Sequence, residues 1–548
     1  MYAGSAGFCR CCLYTASMYT HDCHEEYPLK DKHITPKQAA ALIKNGDTVT
    51  TVGFMLAGHA ETISKAVEQR FLETGEPNNL TLFFAASQSN PTTNTGLNRW
   101  CKPGLIKRII AGHLNLQKDM AAMINSNQVE AYNFPQGALL HLLRAIGGKQ
   151  PGLITPIGLK TFVDPRLEGG KLNAAATEDL IELITVGGKE YLWYKPLPVN
   201  VAIIRGTYAD ERGNLTWGRE AMRLEHLQVA LAAKASGGIV IAQVEAIGQA
   251  GSLPAKDIFV PGILVDYIVV AEAPDEHLQT TAAASEPWLS AEVKMPTDAI
   301  APMPLDERKV ICRRAAMELL PNMSINLGIG IPEGVGAIAA EEGLSPYLTS
   351  TVESGVIGGI AQSGLRFGSA INPEAFLDHS TQFDFYNGGG LDLTVLGLAE
   401  VDEAGNLNVS KFGPRVAGAG GFINITQSSR KIVFAGTFTA SGLKCAVADG
   451  KLQILQEGKA KKMIKKVLQV TFSAAYAREN NLDVLFVTER AVFTIGPSGL
   501  ILLEVAPGVD LEKDVLGNME FVPQISPDLK QMDARLFLDK PMGLLDGF

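Results

Sequence analysis

The two halves of the chain repeat one order of helices and strands, and this repeat restricts the fold more than any other feature. The first half opens with a helix start at Thr35-Pro36, followed by an extended run, a glycine-containing turn, a second helix and an apolar strand ending at Ser87. From Asp306 onwards the second half shows the same succession. Alternating helices and strands predict parallel sheets covered by helices, so the expected fold class is α/β.

A longer match lies further along each half. The run VAIIRGTYADERGNLTW, which begins at Val201, resembles LTVLGLAEVDEAGNLNVS, which begins at Leu393. Both contain Asp-Glu-x-Gly-Asn-Leu, at residues 210–215 and 402–407. One such hexamer can match by chance, but its occurrence at matching places in two matching element orders indicates two homologous halves.

We therefore predict two open parallel-sheet domains in one chain, with the functional site between them. Residues 31–271 form the first domain and residues 308–525 the second. Residues 272–307, rich in Ala, Pro and acidic residues, have the composition of a linker, and residues 526–548 are a C-terminal tail. We expect residues 1–30 to be a disordered extension, because cysteines crowd there without Cys-x-x-Cys spacing and no signal-peptide pattern is present.

Composition limits the classes of function. Of 548 residues, 46% are hydrophobic and 19% are charged, which suits two cores rather than one. The formal net charge of -10 does not mark a binder of nucleic acid or of an anionic membrane. The longest apolar stretches fall short of the roughly 20 residues that cross a bilayer. Because the remaining cysteines are scattered singly, we expect a cytoplasmic protein without a metal site.

The run LTSTVESGVIGGI, residues 348–360, carries the main candidate for catalysis. It predicts a short strand ending at Glu353 and then a loop whose glycines let the backbone or tail of another molecule approach closely. A glutamate carboxylate can attack an activated acyl group as a nucleophile. An ordinary surface glutamate before a turn is the alternative for an isolated Glu-Ser-Gly.

The equivalent strand of the first half ends in Ser-Gln-Ser-Asn, residues 87–90. Ligands of open parallel sheets bind beyond the carboxyl ends of strands. We therefore expect residues 87–90 and Glu353 to face each other across a cleft between the halves.

Seven motifs occur in an order that resembles the family I coenzyme A transferases. The second half contains NLGIGIP, VESG, GNLNVS and AGAGGF, and the first half contains Gly-Phe, FPQG and QVEAIGQAG. The resemblance covers about residues 34–525, in the order of members whose two subunit types are fused. The long fused chain, the VESG form and the YNGGGLD run at residues 386–392 are most similar to the short-chain acetate or propionate CoA-transferases.

The resemblance implies an enzyme that moves coenzyme A between a short-chain acyl-CoA and a free carboxylate. Glu353 would attack the thioester, an acyl-glutamyl anhydride and then a glutamyl-CoA thioester would form, and a second carboxylate would reverse the sequence. Coenzyme A would be a substrate, and neither ATP nor a metal would be needed. The implied partners are acyl-CoA and small carboxylates, without nucleic acid or membrane, for a homo-oligomer that is a dimer or tetramer.

The resemblance also implies roles for residues around Glu353. Each tetrahedral step develops an oxyanion that needs N–H donors placed beforehand. Gly421 is the first candidate for a backbone donor, and Gln136 and Asn408 are candidates for amide donors, with Asn406 as the alternative to Asn408. Turn formation is the other explanation for the asparagines. The residues expected to bind coenzyme A are Gly328, Gly330, Gly418, Gly420 and Lys444.

Three alternatives stay open on the sequence alone. Gly328-x-Gly330 begins a dinucleotide fingerprint, but Glu333 occupies the position of its third glycine. An acyl-CoA hydrolase on the same scaffold would let water resolve the glutamyl thioester, and the sequence does not separate it from a transferase. A non-catalytic coenzyme A sensor would bind without turnover and would carry a regulatory module, which we do not find.

Overall fold

The computed structural model describes residues 31–296 and 302–548. The predicted extension, residues 1–30, and part of the predicted linker, residues 297–301, lie outside the described residues. Within the described ranges, no helix combines the length and the apolar character that a membrane crossing requires. The α-helices in these ranges are α1 Pro36–Leu42, α2 Glu61–Thr74, α3 Lys118–Asn125, α4 Gln136–Gly147, α5 His226–Ala235, α6 Glu307–Ala316, α7 Gly334–Glu341, α8 His379–Asn387, α9 Phe422–Ser428 and α10 Ala474–Glu479.

Two local signals in the sequence set the starts of equivalent helices. Thr35 caps α1 by accepting from the Gln38 N–H, and the Gln38 side chain reaches back to the Thr35 N–H. Asp306 caps α6 by accepting from the Lys309 N–H. Side chains that satisfy the first free N–H groups stabilise a helix by about 1 kcal/mol, which makes these starts predictable.

A seven-stranded sheet, which we call the first sheet, lies at the centre of the first half. Its strands in chain order are β1 Thr48–Thr51, β2 Leu80–Phe84, β3 Ile106–Ala111, β4 Glu130–Asn133, β5 Val201–Arg205, β6 Ile239–Val244 and β7 Tyr267–Val270. Across the sheet the order is β7-β6-β5-β1-β2-β3-β4. Every neighbouring pair is parallel.

A ten-stranded second sheet lies at the centre of the second half. Its strands are β8 Ser324–Leu327, β9 Thr349–Thr351, β10 Val356–Ile357, β11 Ala375–Phe376, β12 Leu393–Gly397, β13 Lys431–Ala435, β14 Asp483–Val487, β15 Ala491–Ile495, β16 Leu500–Val505 and β17 Gln524–Gln531. Across the sheet the order is β11-β10-β9-β8-β12-β13-β14-β15-β16-β17. The five adjacent strands β9, β8, β12, β13 and β14 pair in parallel with one another, and the pairs at the two ends of this group, β9–β10 and β14–β15, are antiparallel.

Five strands of the two sheets correspond in both sequence order and spatial order. The order β7-β6-β5-β1-β2 of the first sheet matches β14-β13-β12-β8-β9 of the second. The predicted α/β class with parallel sheets in two similar halves is confirmed by this shared topology.

The shared hexamer folds into the same turn twice. The Asp210 carboxylate accepts from the Asn214 N–H at 3.0 Å, and the Asp402 carboxylate accepts from the Asn406 N–H at 2.9 Å. The intervening Gly213 and Gly405 have φ of 88° and 89°, a left-handed conformation that favours glycine. The hexamer is therefore a turn motif, which explains its recurrence without a catalytic role.

Alternate residues of the central strands pack on opposite faces of each sheet. In β5, Val201 and Ile203 join one buried cluster, whereas Ala202 and Ile204 join another. Strand β13 behaves in the same way. Both faces of each sheet are thus covered, as parallel sheets require.

The segments predicted as linker and tail pack closely against the rest of the chain. Leu289 is fully buried in the core of the first half, and Glu286 pairs with Arg366 of the second half. At the C-terminus, Leu536 is buried. The Glu342 carboxylate accepts from the backbone N–H groups of residues 542–544. Composition indicated a linker and a tail here, and long-range contacts hold the described parts of both in place.

Helix α4 of the first half packs against α8 and α9 of the second, and a glycine lets it come close. A Cβ atom at Gly137 would lie 2.4 Å from Phe383 Cδ1 and 2.6 Å from Asn424 Nδ2. The Gly137 N–H also donates to Asn424 Oδ1 at 3.1 Å. The halves therefore fit together at a position where no other residue type has room.

Gly137→Ala should weaken this contact, because an extra methyl group in a filled interface costs about 1–3 kcal/mol. The free energy of unfolding in urea measures the loss. Gly336→Ala in α7 is the matched control, since a Cβ atom there meets its nearest neighbour, Leu327 Cδ1, at 3.4 Å. The control should be neutral or slightly stabilising. Equal stability of the two variants would show that the interface does not need Gly137.

Candidate active site

A cavity of about 580 Å³ lies between the two halves and is lined by both. Apolar side chains make up most of its wall. The first half contributes Phe54, Met55, Ala86, Ser87, Pro91, His113, Asn115, Leu116 and Gln136. The second half contributes Asn326, Leu327, Gly328, Ile329, Val352, Glu353, Gly364, Leu365, Phe367, Leu396, Gly397, Val409, Arg415, Ala417, Gly418, Ala419, Gly420, Gly421, Phe422 and Ile425. Ser87 and Glu353 thus line one cavity.

Glu353 lies in the tight turn between β9 and β10 rather than at the end of a strand. Strand β9 ends at Thr351, two residues earlier than predicted. The Val352 N–H donates to the Val356 carbonyl at 2.9 Å, and Gly355 has a φ of 106°, which lets the chain reverse. The turn points the Glu353 side chain into the cavity.

The glycines after Glu353 make room for the chain itself. A Cβ atom at Gly355 would lie 2.1 Å from the Leu377 carbonyl oxygen, and one at Gly359 would lie 2.4 Å from the Ile371 carbonyl oxygen. The sequence analysis expected another molecule to approach these glycines. The backbone that approaches Gly355 and Gly359 is instead the chain's own segment, residues 371–377.

Burial raises the pKa of Glu353 to about 7. The nearby His379 and a hydrogen bond from the Gly421 backbone N–H oppose this rise in pKa. Desolvation disfavours the carboxylate, and few groups in the site compensate for it. The carboxylate of Glu353 is therefore a destabilised anion, which suits a nucleophile that becomes neutral on acylation.

The glycine loop, residues 417–421, presents one backbone N–H to Glu353. The N–H groups of Ala417 and Gly418 both donate to the Ser410 carbonyl. The Ala419 N–H donates to Asn133 Oδ1 at 2.9 Å, and the Gly420 N–H donates to the Gly112 carbonyl at 2.8 Å. The next N–H, that of Gly421, faces the Glu353 carboxylate.

A side chain at Gly421 would collide with the carboxylate, because its Cβ atom would lie 2.2 Å from Glu353 Oε2. The predicted donor therefore lies beside the predicted nucleophile. Gly418 and Gly420 line the cavity as expected for residues near a ligand, but their N–H groups are already used within the protein.

Of the other three residues expected to bind coenzyme A, one lines the cavity and two lie outside its wall. Gly328 lines the cavity, and a Cβ atom there would lie 3.0 Å from Leu396 Cδ2. Gly330 has a φ of 91° and open space around it but is not part of the cavity wall. Lys444 is exposed at the start of a hairpin strand and is also outside the wall.

Asn408 lies outside the cavity wall, and its amide is fully used by a turn. Its Nδ2 donates to Glu400 Oε2 at 2.9 Å and to the Lys411 carbonyl at 2.8 Å, and its Oδ1 accepts from the Ser410 N–H. Asn406 likewise belongs to the hexamer turn. The geometry of both side chains matches turn formation, the alternative role that the sequence left open.

Gln136 lines the cavity from the N-terminus of α4 and connects to two residues that the sequence did not suggest. Its Nε2 lies 2.9 Å from His379 Nε2. His379 Nδ1 lies 2.7 Å from Glu225 Oε2. His379 and Glu225 are fully buried, and Gln136 is nearly so. Sequence patterns could not find this chain, because its members come from three distant segments and carry no shared motif.

His113 and Arg415 were also missed. Burial, reinforced by the charge of Arg415, lowers the pKa of His113 to about 4, so its ring is neutral near pH 7. Its Nδ1 lies 3.0 Å from Ser87 Oγ. Arg415 is exposed, and its Nε donates to Asn115 Oδ1 at 3.0 Å. These residues add polar groups to an otherwise apolar wall.

Comparison with known proteins decides the family. A sequence model of the family described as Coenzyme A transferase matches residues 33–271. A caffeate CoA-transferase of Acetobacterium woodii is 48% identical over 520 residues, which are 94% of this chain and 98% of that protein. The chain belongs to the coenzyme A transferase family. The acetate CoA-transferase YdiF of Escherichia coli O157:H7 is 43% identical over 486 residues, 89% of this chain and 91% of the relative.

A solved structure shows that this coenzyme A transferase shares its fold with a relative along most of the chain. The acyl-CoA transferase YdiF of Escherichia coli O157:H7, described as a thioester complex with CoA, superposes with a TM-score of 0.88 at 41% identity. The match covers 94% of this chain and 97% of that one. The described part of this chain contains no group of three or more His, Cys, Asp or Glu side chains arranged to hold a metal ion.

Glu353→Gln should change how stability depends on pH. The folded protein favours the protonated carboxyl, so its stabilising contribution is full below the unfolded pKa of about 4.3 and is lost as the pH rises through about 7. Relative to wild type, the variant should therefore gain on the order of 3 kcal/mol between about pH 4.5 and about pH 8. Urea unfolding at both pH values measures this, and a difference that does not vary with pH would contradict the raised pKa.

Proposed function

We propose that this coenzyme A transferase moves coenzyme A between a short-chain acyl-CoA and a free carboxylate of the acetate or propionate type, through a glutamyl-CoA thioester on Glu353. The observation that carries the proposal is a desolvated carboxylate in a cavity between the halves, with the Gly421 N–H against it. The resemblance of the motifs to family I members supports the same mechanism.

The first step is attack of the Glu353 carboxylate on the thioester carbonyl. A carbon–oxygen bond forms, the carbon–sulfur bond breaks, and the products are an acyl-glutamyl anhydride and the thiolate of coenzyme A. The tetrahedral intermediate carries an oxyanion, and we assign two donors to it: the Gly421 N–H, which faces Glu353, and the Gln136 amide, which lines the same cavity. No proton transfer is needed.

In the second step the thiolate attacks the glutamyl carbonyl of the anhydride. The first acid leaves as a carboxylate and the glutamyl-CoA thioester remains. A second carboxylate then attacks this thioester, and the two steps run in reverse to form the new acyl-CoA. Burial of Glu353 assists every acylated state, because the anhydride and the thioester are neutral where the free carboxylate is a poorly solvated anion.

The cavity wall favours a monocarboxylic acid. Phe54 and Phe367, one from each half, lie with ring centroids 5.6 Å apart, and Met55, Leu116 and Leu365 add further apolar surface. Arg415 is the one Lys or Arg among the residues of this wall, and it is exposed. A second carboxylate deep in the cavity would lose its hydration without gaining a cation. Of the two relatives, one is named for acetate and the other for caffeate, so acid size varies among similar chains.

Exchange with and without an acceptor acid tests the reaction class. Wild type should form acetyl-CoA from propionyl-CoA only when acetate is added, measured by liquid chromatography of the acyl-CoA products. If free coenzyme A is released at the same rate without acetate, the enzyme is a hydrolase and not a transferase. Glu353→Gln should reduce exchange by at least about 10⁴-fold, because the covalent step is lost.

Chemical trapping tests the residue. Borohydride added after acyl-CoA should reduce the Glu353 thioester to an alcohol, which peptide mass mapping locates. Glu374, which is exposed and immediately precedes strand β11, is the matched control and should stay unmodified. If the enzyme exchanges coenzyme A at the full rate and yet no glutamate side chain is modified by borohydride, the proposed mechanism is wrong.

Phe367→Ala tests the assignment of the acyl end of the cavity. Removal of this ring should raise kcat/KM for hexanoyl-CoA relative to acetyl-CoA by about tenfold, because one methylene of pocket space changes discrimination by about 1–3 kcal/mol. Phe385, which lies outside the cavity wall and is partly exposed, provides the control Phe385→Ala. An unchanged ratio in Phe367→Ala would place the acyl group elsewhere.

A further inference from the structure

Behind the cavity, a buried chain of three polar side chains runs from one half to the other and back. Glu225 and Gln136 belong to the first half, and His379 of the second half lies between them. The end at Gln136 is part of the cavity wall, whereas His379 and Glu225 are not. The chain thus connects the cavity to two side chains outside its wall.

The imidazole of His379 is fixed in position. Its ring lies against Phe54 and Phe383, with centroid distances of 6.0 and 5.7 Å. Its backbone N–H donates to the Arg223 carbonyl at 3.0 Å. Since the side chain is fully buried, water cannot replace either of its nitrogen partners.

The hydrogen bonds of this chain have a direction. The Glu225 carboxylate can only accept, so His379 Nδ1 is the donor of this contact. The Gln136 amide nitrogen, 2.9 Å from His379 Nε2, can only donate, so Nε2 is the acceptor. One N–H of the Gln136 amide is used in this way, and the other remains for the cavity.

We propose that the Glu225–His379 pair is a positioning device that holds the Gln136 amide nitrogen in place, so that its second N–H can be donated to the oxyanion formed at Glu353. This role rests on the proposed function. His379 and Glu225 are positioning residues and not catalytic ones, because they do not reach the cavity. Without the acceptor at His379 Nε2, the amide of Gln136 would be free to rotate and to present its oxygen, which repels an oxyanion.

A double-mutant cycle tests the proposal. Gln136→Met removes the amide and should lower kcat for exchange about 100-fold, as expected for one oxyanion donor. His379→Phe keeps the ring but removes both nitrogens, and it should lower kcat by about 10- to 100-fold with KM for acyl-CoA changed less than about threefold. The double variant should be no slower than Gln136→Met alone within about threefold, because His379 acts only through Gln136.

Conservative rescue and a matched control separate positioning from general damage. His379→Gln offers an amide oxygen as acceptor in place of Nε2. It should restore at least half of the decrease in log kcat that His379→Phe causes. His141 lies on α4 at the same interface, with Nε2 3.1 Å from the Ser380 carbonyl, but is not part of the cavity wall. His141→Phe should lower stability without lowering kcat. His379→Phe leaves the buried Glu225 carboxylate without its partner. If that variant does not fold, Glu225→Leu/His379→Phe, which also removes the carboxylate, replaces it in the cycle.

If the kcat losses of Gln136→Met and His379→Phe multiply in the double variant, the positioning role is wrong. It is also wrong if His379→Phe changes only KM. Equal kcat losses in His379→Phe and His141→Phe would also overturn it. Failure of the proposed function has a different signature, namely exchange that survives in Glu353→Gln. If exchange depends on Glu353 but the kcat losses of the Gln136 and His379 variants are independent, the proposed function stands and only this inference is wrong.

Discussion

Backbone hydrogen bonds between the halves are the constraint on which the rest of the site depends. The glycine loop is joined to the first half by the Ala419 N–H on Asn133, the Gly420 N–H on Gly112 and the Gly420 carbonyl accepting from the Gln136 N–H at 2.9 Å. These bonds are short and buried, so neither half can shift without breaking them. They leave the next N–H, that of Gly421, directed at Glu353, and they set the start of α4, from which Gln136 enters the cavity.

Burial and donor placement act together on Glu353. A fully solvated carboxylate would be a stable anion and a weak nucleophile toward a thioester, whereas desolvation of the half-buried Glu353 carboxylate raises its pKa to about 7. Under the proposed mechanism, that destabilisation is relieved when the carboxyl is acylated. The donors then matter at the moment when charge moves from the carboxylate to the substrate oxygen, and they cost no rearrangement because the loop already holds them.

Local features of the chain were predictable, and contacts between distant segments were not. The caps at Thr35 and Asp306, the alternation of elements and the hexamer repeat gave the α/β class, because each depends on neighbours in sequence. Glu353 and Gly421 followed from motif resemblance. Asn408 illustrates the limit, since only the fold reveals that Glu400 and Lys411 already use its amide. His379 was invisible for the same reason, because its partners are 154 and 243 residues away.

The two sheets have matching strand orders, but they contribute different side chains to the cavity between them. Strands β2 and β9 occupy equivalent places, yet the chain continues to Ser87 after one and to Glu353 after the other, and both side chains line the same space. A duplicated scaffold has thus kept its geometry while the reactive group exists in one copy. Under the proposed mechanism, each polypeptide can therefore be loaded with a single acyl equivalent at a time, so the donor and the acceptor acid must bind in turn, and the other half serves as the opposing wall.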